Sequence, residues 1–586
     1  MAHQLKKDLG VTLHRDGVEF RVWAPFAAEV SVCVPYVSYD ISNAKTMARD
    51  DEGYWSIKLE GVEIGQTYKY LIKTPSGEIL RKNDPRGRAL TASENGDSII
   101  VGDTFDWGDD VFIAPPHNEQ IIYEMHIGTF NRKDPSTQGT FDDATARLDY
   151  LRDLGINMIE LMPITNMAMS NGWGYNTEYI YSVENSYGGR WGLMEFIRAC
   201  HEREIGVILD LVYNHFATTD LWQFDGWSEN GRGGIYFYND IRGDTPWGGR
   251  PDFGRPEVRQ FIADNIAMWF SEYHIDGIRL DSTAYMRNLD GGDNPAREIG
   301  DAWQILQDVT HIAHSIRPGA LTIAEDTGGN TAITLPANMG GAGFDAQWRL
   351  NFPHAVKYAL GLATAYPASL LSELTDTYNG EAFSRVIFSD SHDTAANGFA
   401  RISETASPAN PGSVIARKTS LLASALTLTA PGIPMLLQGS EFLQGGSFND
   451  WQVLNWANVE RFAGIVAAHQ HLIALRRNAY GNTRGLMGQS IAIFHNNPND
   501  HVIAYHRWDH GGLGDDVLVI ANLGGQHFDN YTLHVPLPGT WQVRFNSSWK
   551  GYSADFREML FDQMTTDANQ NATLPLAAHS VVMLSQ

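Results

Sequence analysis

Carboxylates and histidines recur at four places in this chain: Asp210-Leu-Val-Tyr-Asn-His215, Gly277-Ile-Arg-Leu-Asp281, Ile323-Ala-Glu325-Asp326 and Ser391-His392-Asp393. Such groups do general acid-base or nucleophilic work when they converge on one point. Each set closes or follows a short apolar run. A run of about five aliphatic or β-branched residues ending in a charge reads as a buried strand that delivers its last side chain into a site. Arg279 stands two residues before Asp281, so on a strand the two side chains share a face. A cation there favours the ionised carboxylate.

The elements that must position these groups can be read from the intervals between them. Residues 256–270 and 300–316 carry amphipathic helical patterns, so strand and helix alternate through the middle of the chain. With polar residues at the carboxyl ends of the strands, the pattern predicts an α/β fold, a (β/α)8 TIM barrel with its active site on that face. Eight strands are predicted, at 121–126, 158–162, 206–211, 277–281, 321–325, 343–347, 385–390 and 434–438. The connection at 214–254, rich in Gly, Trp, Asp and Asn, is too long for an ordinary loop and is expected to border a cleft.

On either side of this block the period changes. Val18-Glu-Phe-Arg-Val-Trp, Glu29-Val-Ser-Val-Cys-Val, Tyr54-Trp-Ser-Ile-Lys-Leu and Thr67-Tyr-Lys-Tyr-Leu-Ile alternate apolar and polar residues between glycines and prolines, as in a small antiparallel sandwich. Consecutive prolines in Ala114-Pro-Pro-His-Asn-Glu suit a linker. Strand patterns return after Gly481, including Asp516-Val-Leu-Val-Ile-Ala-Asn and Ser580-Val-Val-Met-Leu. The expected domains are an N-terminal β-sandwich at 1–112, a barrel at 117–480 and a C-terminal antiparallel β domain at 481–586.

Composition narrows the partners. At 586 residues the chain exceeds what one core organises. A formal charge of -26 and a pI near 5.1 repel polyphosphates and anionic membranes, so neither nucleic acid nor membrane is an expected partner. Cys33 and Cys200 are too few for a disulfide framework and lack metal-binding spacing. The N-terminus has no apolar signal region, and no stretch reaches the ~18 apolar residues of a membrane span. A cytoplasmic, monomeric enzyme without a cofactor is expected.

Taken in order, the four motifs resemble those of the α-amylase superfamily, glycoside hydrolase family 13, across nearly the whole chain. The resemblance implies Asp281 as nucleophile, Glu325 as general acid/base and Asp393 as the third carboxylate. It also implies substrate-binding roles for Arg279, Asp210, His215 and His392, with Tyr175 of Gly172-Trp-Gly-Tyr stacking on the same sugar. The front sandwich is similar to the carbohydrate-binding domain of branching, debranching and trehalose-releasing members. Retaining cleavage of an acetal needs one carboxylate to attack the anomeric carbon and a second carboxyl, ~5 Å away, to protonate the departing oxygen. Glu325 is expected to start protonated, its pKa raised by neighbouring carboxylates and burial. Asp326 is expected to face away.

Bland alternatives stand beside these roles. Asp210 could simply fix Arg279. His126, at the end of the first strand, has a family counterpart near the site but also reads as a hydrogen-bonded core histidine. Trp173, Trp222, Trp227 and Trp247 are candidates to stack on sugar rings, whereas most tryptophans read as core. Calcium occurs in hydrolytic relatives, but no EF-hand-like spacing is present, so no metal is expected.

Within the family, Thr322-Ile-Ala-Glu-Asp-Thr-Gly-Gly, Gly340-Gly-Ala-Gly-Phe-Asp345, Asn171-Gly-Trp-Gly-Tyr175 and Gln438-Gly-Ser-Glu-Phe-Leu443 resemble glycogen branching enzymes. Thr394, where those enzymes usually carry Glu or Gln, and Val212-Tyr-Asn-His215 look more like amylases and trehalose-releasing hydrolases. The expectation is a 1,4-α-glucan branching-type transglycosylase acting on α-glucan or maltooligosaccharide. The alternatives are an α-amylase-type or trehalose-releasing hydrolase and, outside catalysis, a carbohydrate-binding protein on a decayed barrel.

Overall fold

The computed structural model describes residues 9–37, 40–92, 95–102, 104–134, 136–167, 172–362 and 369–586. Asn171 of the Gly-Trp-Gly-Tyr motif, and residues 1–8 of the front domain, lie outside the described residues. Eight strands close a barrel in sequence order: β1 (Ile122–Met125), β2 (Met158–Leu161), β3 (Gly206–Leu211), β4 (Gly277–Leu280), β5 (Leu321–Ala324), β6 (Ala346–Trp348), β7 (Arg385–Phe388) and β8 (Ile433–Leu437). Every residue of these strands is buried, which is why their sequences run apolar rather than alternating.

The expected strands coincide with the observed ones to within three residues, and β6 moves furthest. Gly343 there is left-handed, with φ +82, and its N–H bonds to Leu335 O while that of Phe344 bonds to Ile333 O. Those donors belong to the preceding loop, so the ladder starts only at Ala346. The helix expected from Pro256 runs Pro256–Glu272. Proline suits its first turn, where an N–H would have no partner in the helix. Its Val258, Phe261, Ile262, Ile266 and Trp269 are buried, and a left-handed His274 follows it at φ +56.

The chain forms two compact units. The first comprises Met1–Ile113, His126–Ala146 and Leu161–Phe344, and so contains the front sandwich together with β3, β4 and β5. One sandwich sheet joins Gly10–His14, Gly17–Trp23, Tyr54–Leu59 and Ala48–Arg49, and the other is centred on Glu29–Cys33 and Thr67–Lys73. Alternate residues Val18, Phe20, Val22, Val30, Val32, Tyr68, Tyr70 and Ile72 turn inward as its core.

A strip leaving this sandwich is fastened to the 256–272 helix and the segment before it. Asn83 N–H donates to Asp220 Oδ2 at 2.8 Å, and Arg88 pairs with Glu272 at 2.8 Å. Between them Arg86 donates to Tyr181 Oη at 2.8 Å and pairs with the fully buried Asp264 at 2.9 Å. A short antiparallel hairpin of Thr165–Met167 and Thr177–Val183, not expected from the sequence and almost wholly buried, also belongs to this unit.

The second unit comprises Ala114–Met125, Arg147–Glu160 and Asp345–Gln586, with β1, β6, β7 and β8. Its C-terminal sheet orders Ser490–Asn497, Val502–Trp508, Val517–Asn522, Ser580–Ser585, Thr540–Asn546 and Gln563–Thr565. Phe528–His534 pairs with Asn571–Leu576 over a core that includes Leu518, Ile520, Trp541, Leu574 and Leu584. Among the described residues no helix is long and apolar enough to cross a membrane.

Arg86→Ala removes one partner of a buried ion pair and leaves the Asp264 carboxylate without it. The expected loss is about 3–5 kcal/mol of stability. Urea unfolding of the two proteins reads it directly, and an unchanged midpoint would contradict the fastening role.

Candidate active site

Parallel register assembles the first part of the site. In the β3–β4 ladder Asp210 lies opposite Arg279, and in the β4–β5 ladder Leu280 lies opposite Ala324. The next residues, Asp281 and Glu325, therefore leave the barrel at the same level. Backbone bonds continue past the strands, from Asp281 N–H to Leu211 O at 3.0 Å and from Glu325 N–H to Leu280 O at 2.9 Å. Alternation puts Arg279 and Asp281 on one face.

Arg279 is 0% exposed. Its Nη1 donates to Asp210 Oδ1 at 2.8 Å, to Asp210 Oδ2 at 2.7 Å and to Asp281 Oδ1 at 2.9 Å, while Nη2 lies 3.6 Å from Glu325 Oε2. Burial alone would favour a neutral guanidinium, but Asp210, Tyr175, Asp281 and Glu325 outweigh it and hold the charge far above the ordinary range. Burial pushes the Asp210 carboxyl up to about 6, against the pull of Arg279. Tyr175 Oη also donates to Asp210 Oδ2, at 2.6 Å. Asp210 thus fixes Arg279 and Tyr175.

Tyr175 owes its place to Gly174, which is left-handed at φ +93 and lies so close to Pro163 that a Cβ would sit 2.4 Å from its carbonyl oxygen. On the other side of Asp281, Asn214 Nδ2 donates to Asp281 Oδ2 at 2.7 Å, and Asn214 Oδ1 lies 2.6 Å from His215 Nδ1. Burial lowers the pKa of His215. Its ring packs 5.7 Å from Trp247, which in turn meets Tyr285 edge-on at 4.8 Å and is 53% exposed.

After Asp281 the chain turns sharply through Ser282, left-handed at φ +45, into the short helix Thr283–Arg287. That turn aims Ser282 N–H at Glu325 Oε2, 2.7 Å away. Asp326 faces elsewhere and accepts from Arg287 Nε and Nη2 at 2.8 and 2.7 Å.

The second unit carries the remaining motif. Glu124 of β1 accepts from His392 N–H at 2.9 Å, and its Oε1 lies 2.5 Å from His392 Nδ1, fixing the ring. His392 Nε2 lies 3.5 Å from Asp393 Oδ1, and the Asp393 side chain is 42% exposed. Thr394 turns back into its own loop, its Oγ1 accepting from Ser391 N–H at 2.8 Å.

His126 has both ring nitrogens near protein hydroxyls, Nδ1 2.9 Å from Thr129 Oγ1 and Nε2 3.0 Å from Tyr187 Oη. Trp173 is half-buried. Trp227 stacks on Phe26 at 4.5 Å, and Trp222 packs against Phe237 at 5.2 Å. Among the described residues no cluster of three or more His, Cys, Asp or Glu could hold a metal ion.

Residues 125–244 match the family model "Alpha amylase, catalytic domain", residues 8–87 match "Carbohydrate-binding module 48 (Isoamylase N-terminal domain)", and residues 493–586 match "Alpha amylase, C-terminal all-beta domain". The chain is 30% identical to 1,4-alpha-glucan branching enzyme GlgB of Corynebacterium jeikeium over 93% of this chain and 78% of that protein. The chain belongs to the α-amylase family, glycoside hydrolase family 13. It is also 30% identical to malto-oligosyltrehalose trehalohydrolase of Saccharolobus solfataricus, over 75% of this chain and 76% of that one. In fold this α-amylase-family chain is similar to a pullulanase of Anoxybacillus sp. LM18-11 complexed with maltotetraose, with a TM-score of 0.76 at 22% identity over 100% of this chain and 88% of the pullulanase.

Three contributors in this α-amylase-family chain escape sequence reasoning. Asn214 stands inside the first motif with no role of its own, and Glu124 could have been found by alternation, since it shares a face with His126 in Tyr123-Glu-Met-His126. Nothing in the sequence marks the Ser282 N–H, because its direction depends on a left-handed turn.

Tyr175→Phe keeps the ring and deletes the 2.6 Å bond to Asp210. The expected cost is about 1–2 kcal/mol in kcat/KM. Tyr175→Ala should lose considerably more if the ring also contacts sugar. Equal losses in the two variants would assign Tyr175 to the hydroxyl alone.

Proposed function

We propose that this chain is a retaining α-glucan enzyme that cleaves α-1,4 bonds and transfers the released chain to a 6-hydroxyl, as a 1,4-α-glucan branching enzyme does. The observation that carries the reading is the 30% identity to a branching enzyme over 93% of this chain. Asp281 is the nucleophile. One of its carboxylate oxygens bonds to the anomeric carbon as the bond from that carbon to the glycosidic oxygen breaks, and the departing oxygen takes the proton of Glu325. In the second half, Glu325 takes a proton from the acceptor hydroxyl, whose oxygen displaces Asp281. Since Glu325 Oε2 accepts from Ser282 N–H, the transferable proton belongs on Oε1.

Arg279 pairs with Asp281, and the Asp210 carboxylate helps keep Arg279 in place. Asp393 and His392 are assigned to sugar hydroxyls, with Asp393 stabilising the oxocarbenium-like transition state. His215 serves that sugar too, and Trp247 offers an exposed indole beside it. We also infer the three-domain division at 1–112, 117–480 and 481–586, supported at both ends by the matches at 8–87 and 493–586.

A second reading is a trehalose-releasing hydrolase. Thr394 and the 30% identity to a malto-oligosyltrehalose trehalohydrolase favour it. Both reactions share the glycosyl-enzyme and differ in whether water or a sugar hydroxyl reaches it first, which depends on the walls around the acceptor.

Incubation with amylose, with reducing ends counted before and after complete debranching by an isoamylase, separates the readings. Branching predicts nearly constant reducing ends that rise sharply after debranching. Hydrolysis predicts a rise during the first incubation and none from debranching, and trehalose released from maltooligosyltrehalose would establish the second reading. Asp281→Ala and Glu325→Gln should each lose nearly all turnover with the fold retained. Near-normal activity in either would overturn the assignment.

A further inference from the structure

Asp281 is held from two sides by groups of different origin. Arg279, on its own strand, serves Oδ1 at 2.9 Å, and Asn214, from the turn after β3, serves Oδ2 at 2.7 Å. The same Asn214 amide donates to the Asp281 backbone oxygen at 2.9 Å, while its Oδ1 faces His215 Nδ1 at 2.6 Å. Asn214 is fully buried, and its near-ideal bonds leave its amide one orientation. A carboxylate bonded only by Arg279 could swing about its terminal torsion, which is broad. A second donor on the opposite oxygen removes that freedom and favours the charged form.

We infer that Asn214 is a positioning residue for the nucleophile, holding the plane of the Asp281 carboxylate by a bond to the oxygen that Arg279 does not serve. The inference rests on the reading of Asp281 as nucleophile. The amide also ties His215 to the same carboxylate, so the nucleophile and a histidine beside it are set by one side chain.

The test compares full-length Asn214→Leu with wild type on amylose, measuring kcat, KM, melting temperature and the pH profile of kcat/KM. Leucine keeps the branched skeleton and heavy-atom count of asparagine, with more bulk, and deletes the donor. Among the described residues, Arg279, Asp210, Tyr175, His215 and Glu325 are the titratable groups of this cluster, and all remain in the variant. Loss of a bond to the charged form raises the pKa of a carboxylate, so the acid limb should move up by about one pH unit. The kcat should fall about 10- to 100-fold with KM little changed.

Asn214→Ala admits a water in place of the amide and should shift the limb the same way by less, which keeps the test open if leucine does not fold. An acid limb at the wild-type position in the folded variants overturns the inference, even where the rate or the melting temperature falls, because a purely structural asparagine would do that. Asp281→Ala, run alongside, separates the two layers: retained turnover there overturns the nucleophile reading and this inference with it. An inactive Asp281→Ala with an unmoved limb in the Asn214 variants overturns only the role of Asn214.

Discussion

A guanidinium with none of its surface exposed needs close partners to offset the loss of water, and in this chain Arg279 meets the carboxylates of Asp210 and Asp281 at 2.7 to 2.9 Å with Glu325 at 3.6 Å. Desolvating such an ion costs several kcal/mol, and only close, well-directed partners offset it. The arrangement is therefore rigid by necessity. Moving any one of the three carboxylates would leave buried charge behind, so the protein's own stability resists displacement of these groups.

That constraint explains the construction around it. Asp210 and Arg279 are lateral neighbours because β3 and β4 run parallel in a register that pairs them, and Asp281 and Glu325 emerge together because β4 and β5 pair Leu280 with Ala324. A slip of one residue would turn Arg279 out of the site and bring a leucine in. Past the strand ends, irregular backbone completes the work: left-handed Ser282 turns an N–H onto Glu325, and left-handed Gly174 brings Tyr175 to Asp210. In the second unit the same logic recurs with Glu124 and His392, a buried carboxylate fixing an imidazole that reaches toward Asp393.

Much of this is legible in the chain because barrel strands are buried on both faces, so an apolar run that ends in a charge marks a strand carrying that charge to the end of the barrel. Asp210, Arg279, Asp281 and Glu325 fall into that class. Legibility stops where partners come from turns. Asn214 can be read as part of a motif but not as the second donor to Asp281, since its direction depends on the turn between Leu211 and His215. The sixth strand starts later than its sequence pattern predicts because Gly343 and Phe344 look strand-like locally while their N–H groups serve Leu335 and Ile333. The hairpin of Thr165–Met167 with Thr177–Val183 is hidden for a similar reason, its first strand having only three residues.

In the proposed mechanism bond formation between Asp281 and the anomeric carbon is the central step, and a covalent trap tests it most directly. An activated α-glucosyl fluoride carrying a second fluorine on the sugar ring slows both steps and, with a good leaving group, accumulates the glycosyl-enzyme. Digestion and mass spectrometry should then find the added sugar on the peptide bearing Asp281 and nowhere else. A label on another carboxylate, or turnover with no labelled peptide under conditions that inactivate the enzyme, would contradict the role of Asp281 as nucleophile.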